Sequence, residues 1–432
     1  MTTATAREAA INDGGRDGAL HRYRRVRTRT EKLAAPLSAE DQTVQSMSDV
    51  SPTKWHRAHT SWFFEQFLLT PFASSYRPFD RAYGYLFNSY YEGAGARHPR
   101  PDRGLLSRPG IDEIARYRAH VDAGMEGLLA RAGDNQWREI APLLALGLNH
   151  EEQHQELILM DIKHVLGLNP LDPAYAKPPP AMHRPAAPLE FREFGEGLRE
   201  IGHRGAGFAF DNEGPRHKVW LDDFRLATRL ATNGEYLAFI EAGGYRRPEF
   251  WLSEGWSTVQ QSGWTAPLYW RSEDSHWTIF TLAGRRPLDP DEPVCHVSYY
   301  EADAFARWSG KRLPTEAEWE TAGAESEIEL DGNLMDRGRF HPEATGVAPP
   351  GTMHQMIGDV WEWTQSAYAA YPGFHPLSGT IGEYNGKFMS NQMVLRGGAA
   401  VTPEGHVRLT YRNFFPPASR WAFGGIRLAE DA

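Results

Sequence analysis

Along the first 170 residues the apolar positions recur with helical spacing. Residues 20–34 (Leu-His-Arg-Tyr-Arg-Arg-Val-Arg and onward) read as a basic amphipathic helix stopped by Pro36. Ser38-Ala-Glu-Asp41 has the form of a capping box for the next element. In Ser51-Pro-Thr-Lys-Trp-His-Arg-Ala-His-Thr-Ser-Trp-Phe-Phe-Glu65, Ser51 reads as an N-cap and Pro52 as the first helical residue. Trp55, Ala58, Trp62 and Leu69 then mark one buried face. Residues 70–110 lack periodicity, and an irregular stretch of that length inside a compact domain points to function. Ile111–Ala132 and Gln136–Leu166 are two further helices with a turn at Asp134-Asn135. About four long helices with long connections predict an up-down bundle over residues 19–168.

Residues 169–189, with Pro178-Pro-Pro180, break the pattern and read as a linker. From residue 190 to 432 the pattern changes to short strands, at Lys218–Leu221, Val394–Arg396 and Gly425–Leu428. Two short helices stand out, Tyr300–Trp308 closed by Gly310 and Glu316–Ala322 capped by Thr315 with Glu318. Eleven of the 14 tryptophans lie beyond residue 190, so this second domain is expected to be a turn-rich α+β fold held by aromatic packing.

Composition narrows the function classes. The chain has 432 residues and a formal net charge of −10, which argues against nonspecific nucleic-acid binding. No run of 18 apolar residues predicts a membrane helix. Met1 to Gly18 lacks an apolar core and reads as a frayed tail rather than a secretory signal. One cysteine, Cys295, permits no intrachain disulfide and no cysteine metal cage, and fits a reducing cytosol.

The chemistry concentrates in Gly147-Leu-Asn-His-Glu-Glu-Gln-His-Gln-Glu156. His150 and His154, four apart on a helix, project from one face and make half of a metal site. The stretch also spells the zinc-peptidase pattern H-E-x-x-H. A peptidase needs a third protein ligand on a following segment, and the extended signature wants glycine and histidine where this chain has Leu157 and Met160. His164 lies ~15 Å beyond His154, too far to share an ion. The alternative is a three-histidine site completed by His56 or His59 from the Ser51–Glu65 helix. Three neutral imidazoles leave the ion's charge uncompensated and coordination positions open, which suits anionic ligands such as a thiolate. Glu151 points sideways from the histidine face, and Glu152 and Glu156 point away from it. The irregular stretch adds the phenols of Tyr90 and Tyr91 and the guanidinium groups of Arg97, Arg100 and Arg103.

The Ser51–Glu65 segment, Phe87-Asn-Ser-Tyr-Tyr-Glu92 and Leu148–Glu156 resemble the N-terminal DinB-like bundle of the ergothioneine-biosynthesis sulfoxide synthases. Pro293-Val-Cys-His-Val-Ser298, Trp308-Ser-Gly-Lys-Arg-Leu-Pro-Thr-Glu-Ala-Glu-Trp-Glu320, Gly358-Asp-Val-Trp-Glu-Trp363, Arg396-Gly-Gly398 and Tyr411-Arg-Asn413 resemble a formylglycine-generating-enzyme-like domain, related to the C-type lectin fold. The resemblance implies a non-heme Fe(II) enzyme. It would use O2 to join the sulfur of cysteine, or of γ-glutamylcysteine, to the imidazole C2 of hercynine, giving a sulfoxide. It implies His59, His150 and His154 as iron ligands and Gln153 as a holder of the hercynine imidazole. Asn413, Phe414 and Phe415 would shape the pocket, where an aromatic wall suits a quaternary ammonium. Tyr91, with Tyr90 next, would supply a catalytic phenol. Arg100, Arg103 and Arg420 are candidates for the donor carboxylate, and cysteine is the preferred donor. Within the family the competing reading is a selenoneine synthase with a selenosugar donor; outside it, a zinc metallopeptidase or a metal-bearing binding module. Formylglycine-generating activity needs a pair of active-site cysteines, which this chain lacks. The methyltransferase domain of ovothiol-pathway relatives is not expected here.

Overall fold

The computed structural model describes residues 15–177, 184–274, 276–346 and 349–432. It forms two compact units. The first takes the chain up to Asn169 together with Arg204–Asp211 and His375–Gly386; the second takes Pro170–His203, Asn212–Phe374 and Lys387–Ala432. Two segments expected in the second domain therefore belong with the helices. The triple proline at 178–180 lies outside the described residues, whereas Tyr175 and Ala176 are fastened to the second unit by hydrogen bonds from their N–H groups to the Leu282 carbonyl.

Four long helices build the first unit: α1 (Gly15–Ala34), α2 (Thr53–Phe64), α3 (Ile111–Arg131) and α4 (Asp134–Gly167). Helix α2 packs on α3 and α4, and α1 packs on α4. The helix α1 takes in Gly15 to Gly18, which were expected to be frayed. Trp55, Ala58, Trp62, Phe63 and Phe64 of α2 are buried, with Ile114, Tyr117 and Val121 of α3 and Ile140, Leu144, Ile158 and Leu159 of α4. Gly147 permits a close helix crossing, because a Cβ there would lie 2.7 Å from the Phe64 ring. A π-helical turn, Glu65–Leu69, prolongs α2.

Two local expectations change. Pro52, not Ser51, precedes the first helical residue, and it has no side-chain cap. Ser51 is recruited elsewhere: its N–H donates to Asp161 Oδ2 at 2.7 Å and its hydroxyl accepts from Arg103 at 2.9 Å. Ser38 and Asp41 do exchange reciprocal bonds, Ser38 N–H to Asp41 Oδ2 at 3.0 Å and Asp41 N–H to Ser38 Oγ at 3.1 Å. The box closes a turn rather than opening a helix.

In the second unit, β1 (Phe191–Phe194), β4 (Phe224–Ala227) and β12 (Ala429–Asp431) form an antiparallel sheet with β4 central. A second sheet runs β10 (Asn413–Phe415), β9 (Met393–Arg396), β8 (Trp361–Ala367) and β11 (Gly424–Gly425), the last pair parallel. Of the strand expected at Gly425–Leu428 only Gly425 belongs to one, β11; residues 426–428 are not strand, and β12 begins just after them. Further antiparallel pairing joins β2 (Gly197–Ile201) to β3 (His217–Leu221), and β6 (His276–Thr281) to both β5 (Trp270–Glu273) and β7 (Gly284–Pro287). Helices α5 (Asn233–Glu241), α7 (Tyr299–Trp308) and α8 (Glu316–Glu325) each begin with a complete capping box, and α6 (Ser253–Ser262) ends at the left-handed Gly263.

The core of this unit gathers around Trp319 with Phe194, Phe224, Leu226, Leu334, Met356 and Val407. Its recurring sequence motifs are partners in buried ion pairs. Glu316 accepts two bonds from Arg412 at 2.9 Å and one from Arg396 at 3.1 Å, and Arg396 also reaches Glu320 at 3.0 Å. Glu362 accepts from Arg427 at 2.7 and 2.9 Å and from the Trp319 indole at 2.8 Å. These residues specify the fold; they leave few free groups for chemistry. Among the described residues, no helix is long and apolar enough to cross a membrane.

Candidate metal centre

Helix α2 delivers His59 and helix α4 delivers His150 and His154 to one buried point. One nitrogen from each of the three lies within 4.8 Å of the other two. Nε2 of His59 is 3.2 Å from Nε2 of His150, and the three rings are 4.6 to 4.9 Å apart, centre to centre. Among the described residues, this is the one cluster of three or more His, Cys, Asp or Glu side chains whose donor atoms converge in this way.

The packing explains why these rings are held. The His59 imidazole has Trp55 stacked at 4.6 Å and Trp62 at 5.5 Å, and its Nδ1–H donates to the Phe87 carbonyl at 2.6 Å. A carbonyl only accepts, so the His59 proton sits on Nδ1 and Nε2 presents its lone pair. Phe63 packs on His150 at 4.8 Å. Burial drives all three imidazoles toward the neutral form, His150 to a pKa of about 3 against the opposing charge of Glu151, and His59 and His154 well below the usual histidine range with neighbouring positive charge adding to the effect. Neutral, converging lone pairs in a dry site are what a metal cation requires, so the residues fit one.

His56, the other possible third ligand, stands behind the centre. Its Nδ1 lies 2.8 Å from Nδ1 of His154 and its Nε2 lies 3.0 Å from Asp161 Oδ2. Glu151 is committed elsewhere. Its carboxylate accepts from Thr30 at 2.6 Å, Arg118 at 2.9 Å and Arg27 at 3.0 Å, and although burial opposes its charge, the two guanidinium groups hold its pKa at about 2. A carboxylate so paired does not serve as a general base for water, and the peptidase reading of H-E-x-x-H loses its catalytic residue.

Around the triad the structure brings in further polar groups. Gln153 accepts, through Oε1, a hydrogen bond from the Tyr384 hydroxyl. The Tyr384 ring stands edge-on to His150 at 5.7 Å, stacks on Phe210 at 5.5 Å and meets Tyr90 edge-on at 6.3 Å. Its segment is fastened by Glu383, whose carboxylate accepts from the N–H groups of Glu92 and Gly93 at 2.9 and 2.8 Å, and by Asn385, which donates to Asp211 at 2.6 Å. Sequence reasoning missed Tyr384. The available signal was a tyrosine in a glycine-bearing stretch (Gly379 to Gly386) between strands, far along the chain from the histidines. Tyr91 is fully buried among Trp62, Phe67 and Tyr90, and its hydroxyl makes no hydrogen bond of good geometry. Burial raises the pKa of both Tyr90 and Tyr91, keeping them protonated.

The arginines separate clearly. Arg103 is 2% exposed and lies 3.4 Å from the centre of the Trp55 ring. Among the described residues it donates only to the hydroxyls of Ser51 and Ser89, and its Nε is buried without a partner. Burial and the nearby charge of Arg100 depress its pKa. Arg100 is exposed and bonds the Asp49 carbonyl. Arg420, in the second unit, is already matched by the buried Glu301 at 2.9 Å and lies over Trp264. In that unit Phe414 stacks on Tyr368 at 4.0 Å, Phe415 meets Trp421 at 5.5 Å, and Asn413 Oδ1 accepts from the Phe414 N–H at 2.9 Å.

Comparison with known proteins agrees with this architecture. Residues 22–158 match the DinB superfamily, and residues 195–432 match the sulfatase-modifying factor enzyme 1-like domain. The hercynine oxygenase of Mycolicibacterium thermoresistibile is 31% identical over 94% of this chain and 93% of its own length. The chain belongs to the hercynine oxygenase family. A second hercynine oxygenase, from Mycobacterium tuberculosis, is 34% identical over 67% of this chain and 71% of its own length. The formylglycine-generating enzyme of Thermomonospora curvata matches at 27% identity over 52% of this chain. Cys295, the single cysteine, is buried in the second unit. As a hercynine oxygenase relative, the chain is an oxidative enzyme of ergothioneine-type sulfoxide synthesis with a histidine triad that could hold a metal ion.

Proposed function

We propose that the triad holds Fe(II) and that the enzyme joins cysteine sulfur to the imidazole C2 of hercynine. In the balanced reaction, hercynine C2–H, the cysteine S–H and O2 give the sulfoxide and one water. One oxygen atom goes to sulfur, and the other leaves with both hydrogens. The observation that carries this reading is the all-histidine donor set, His59, His150 and His154, with no carboxylate among its converging atoms. Bound iron supplies one-electron chemistry with O2 and, for want of a charged protein ligand, an attraction for a thiolate.

The protein's own groups supply binding and proton control. Arg103 is a buried guanidinium that among the described residues forms no salt bridge, Asp161 acting on it only through its charge, and its own charge acts on both His59 and His154. That combination supports it, over Arg100 and Arg420, as the site for the α-carboxylate of cysteine. Gln153, its carbonyl engaged by Tyr384, is the proposed holder of the hercynine imidazole. Tyr91, a phenol that burial keeps protonated, is the proposed donor of a proton or hydrogen atom, and Tyr90 stacks on it at 4.6 Å. Asn413, Phe414 and Phe415 are proposed to shape the hercynine pocket. A thiol substrate and a single buried cysteine fit a reducing, cytoplasmic setting.

The test is aerobic incubation with Fe(II), a reductant, hercynine and cysteine, read by mass spectrometry. The coupled sulfoxide is expected, and it should vanish without iron or without O2. Product from γ-glutamylcysteine but not from cysteine would reassign the donor. No coupled product from either thiol or from a selenosugar, in protein carrying stoichiometric iron, would overturn the reaction.

A further inference from the structure

We infer that His56 and Asp161 are positioning residues for the metal centre: together they form a hydrogen-bonded relay behind His154 that fixes which of its nitrogens faces the ion. The argument runs outward from the carboxylate. Asp161 Oδ2 accepts the Ser51 N–H at 2.7 Å and lies 3.0 Å from His56 Nε2. A carboxylate oxygen accepts, so the proton of a neutral His56 belongs on Nε2. Nδ1 of His56 then carries a lone pair. It faces Nδ1 of His154 at 2.8 Å, a separation that requires one proton between them, and that proton comes from His154. With Nδ1–H donated outward, Nε2 of His154 keeps its lone pair for the metal.

The relay also explains why His56 is not a ligand, since both of its nitrogens are spent. Three residues before His59, it lies one turn back on the same side of α2. Asp161, seven residues beyond His154, returns to the histidine face of α4 after two turns. Both are buried, His56 at 2% and Asp161 at 3% exposure, so water does not stand in for either partner if it is removed. The three ligands are therefore supported unequally. His59 is fixed by the Phe87 carbonyl and His154 by the relay, whereas Nδ1 of His150 has no hydrogen-bond partner among the described residues. Outer partners of this kind orient a ligand ring, set its tautomer and raise its basicity. Their loss typically weakens metal binding by about 10- to 100-fold.

This inference rests on the triad being the metal site, and anaerobic titration of the metal-free protein with Fe(II) against a competing chelator separates the two ideas. His56→Leu, which removes the acceptor, should bind Fe(II) about 10- to 100-fold more weakly than wild type. His56→Gln, whose amide oxygen can accept from His154 Nδ1–H, should recover most of that loss. Asp161→Asn, which keeps the shape and removes the charge, should fall between them. Folded His56→Leu with wild-type affinity would overturn the relay, as would His56→Gln as weak as His56→Leu. If His56→Leu does not fold, Asp161→Asn decides: wild-type affinity in that folded variant overturns the relay. Failure of the wild-type protein to bind Fe(II) would instead remove the metal reading, and the relay with it.

Discussion

Two faces of helix α4 carry polar side chains into equally dry surroundings, with opposite outcomes. On one face His150 and His154 are held neutral by burial, which at His150 outweighs the opposing charge of Glu151. About 100° around the helix, Glu151 is just as buried and is charged, because Arg27 and Arg118 reach it at 3.0 and 2.9 Å. Burial alone does not set the protonation state; the partner does. H-E-x-x-H is therefore divided here, with the neutral histidines converging on one point and the glutamate holding α1 and α3 against α4. The second unit offers the intermediate case. Asp359 is buried, has only neutral donors, among them Asn333 at 2.7 Å, the Glu343 N–H at 2.8 Å and the Gln355 amide, and burial pushes its pKa up to about 7.

The largest expected effects break the histidine face. His59→Ala, His150→Ala and His154→Ala should each abolish stoichiometric Fe(II) loading, and with it turnover, as read by metal analysis after anaerobic reconstitution. A variant that retains one iron per chain would remove that residue from the ligand set. The other face should fail differently. Glu151→Gln leaves two buried guanidinium groups without their anion and should cost about 3–5 kcal/mol of stability. The urea midpoint at neutral pH should fall markedly, while protein that stays folded at low urea should still load iron. A peptidase-type general base would show the reverse pattern, with intact stability and lost activity.

Asp359 tests the contrast between paired and unpaired carboxylates through pH. Its folded pKa, about 7, stands above the usual aspartate value of 3.8, so the folded state binds the extra proton between these limits. Its favourable contribution is complete below about pH 4 and is lost as pH rises through 7. The full swing is on the order of 4 kcal/mol at 1.36 kcal/mol per pKa unit. Asp359→Asn keeps an oxygen to accept from Asn333 and Glu343 while removing the titration. The wild type should lose stability relative to this variant between pH 4 and 8. Parallel stability curves for the two would show that Asp359 is not the group responsible.

Much of the helical unit was legible because its chemistry follows helical spacing. His150 with His154 and the buried face of Trp55, Ala58 and Trp62 follow from period alone. The third ligand did not: His56 and His59 both lie near one face, and only the partners of each nitrogen separate them. Ser51 was misread as a cap because a serine before Pro-Thr has that local form, whereas a tertiary demand from Asp161 and Arg103 claims it. The second unit's motifs were legible as a fold signature, yet their role as a buried lattice of Glu316, Glu320, Glu362, Arg396, Arg412 and Arg427 depends on contacts across more than 40 residues. The association of Tyr384 with the triad depends on a still longer return of the chain, for which no local pattern exists.

The smallest expected effect distinguishes the tyrosines. Tyr384→Phe removes one hydroxyl that bonds the Gln153 carbonyl and leaves the ring on His150 and Phe210. One hydrogen bond to a neutral amide contributes about 0.5–1.5 kcal/mol, so a rise of up to about tenfold in KM for hercynine is expected. Iron loading should be unaffected, and so should the ratio of coupled sulfoxide to oxidised cysteine. Tyr91→Phe should do the opposite, leaving KM for hercynine near wild type and diverting turnover toward cysteine sulfinate, because the phenol that steers the oxidised centre is gone. The ratio of the two products, measured by mass spectrometry in both variants, tells orientation from proton supply. If Tyr384→Phe shifts that ratio and Tyr91→Phe does not, the catalytic phenol is the one beside Gln153, and Tyr91 serves as packing against Trp62 and Phe67.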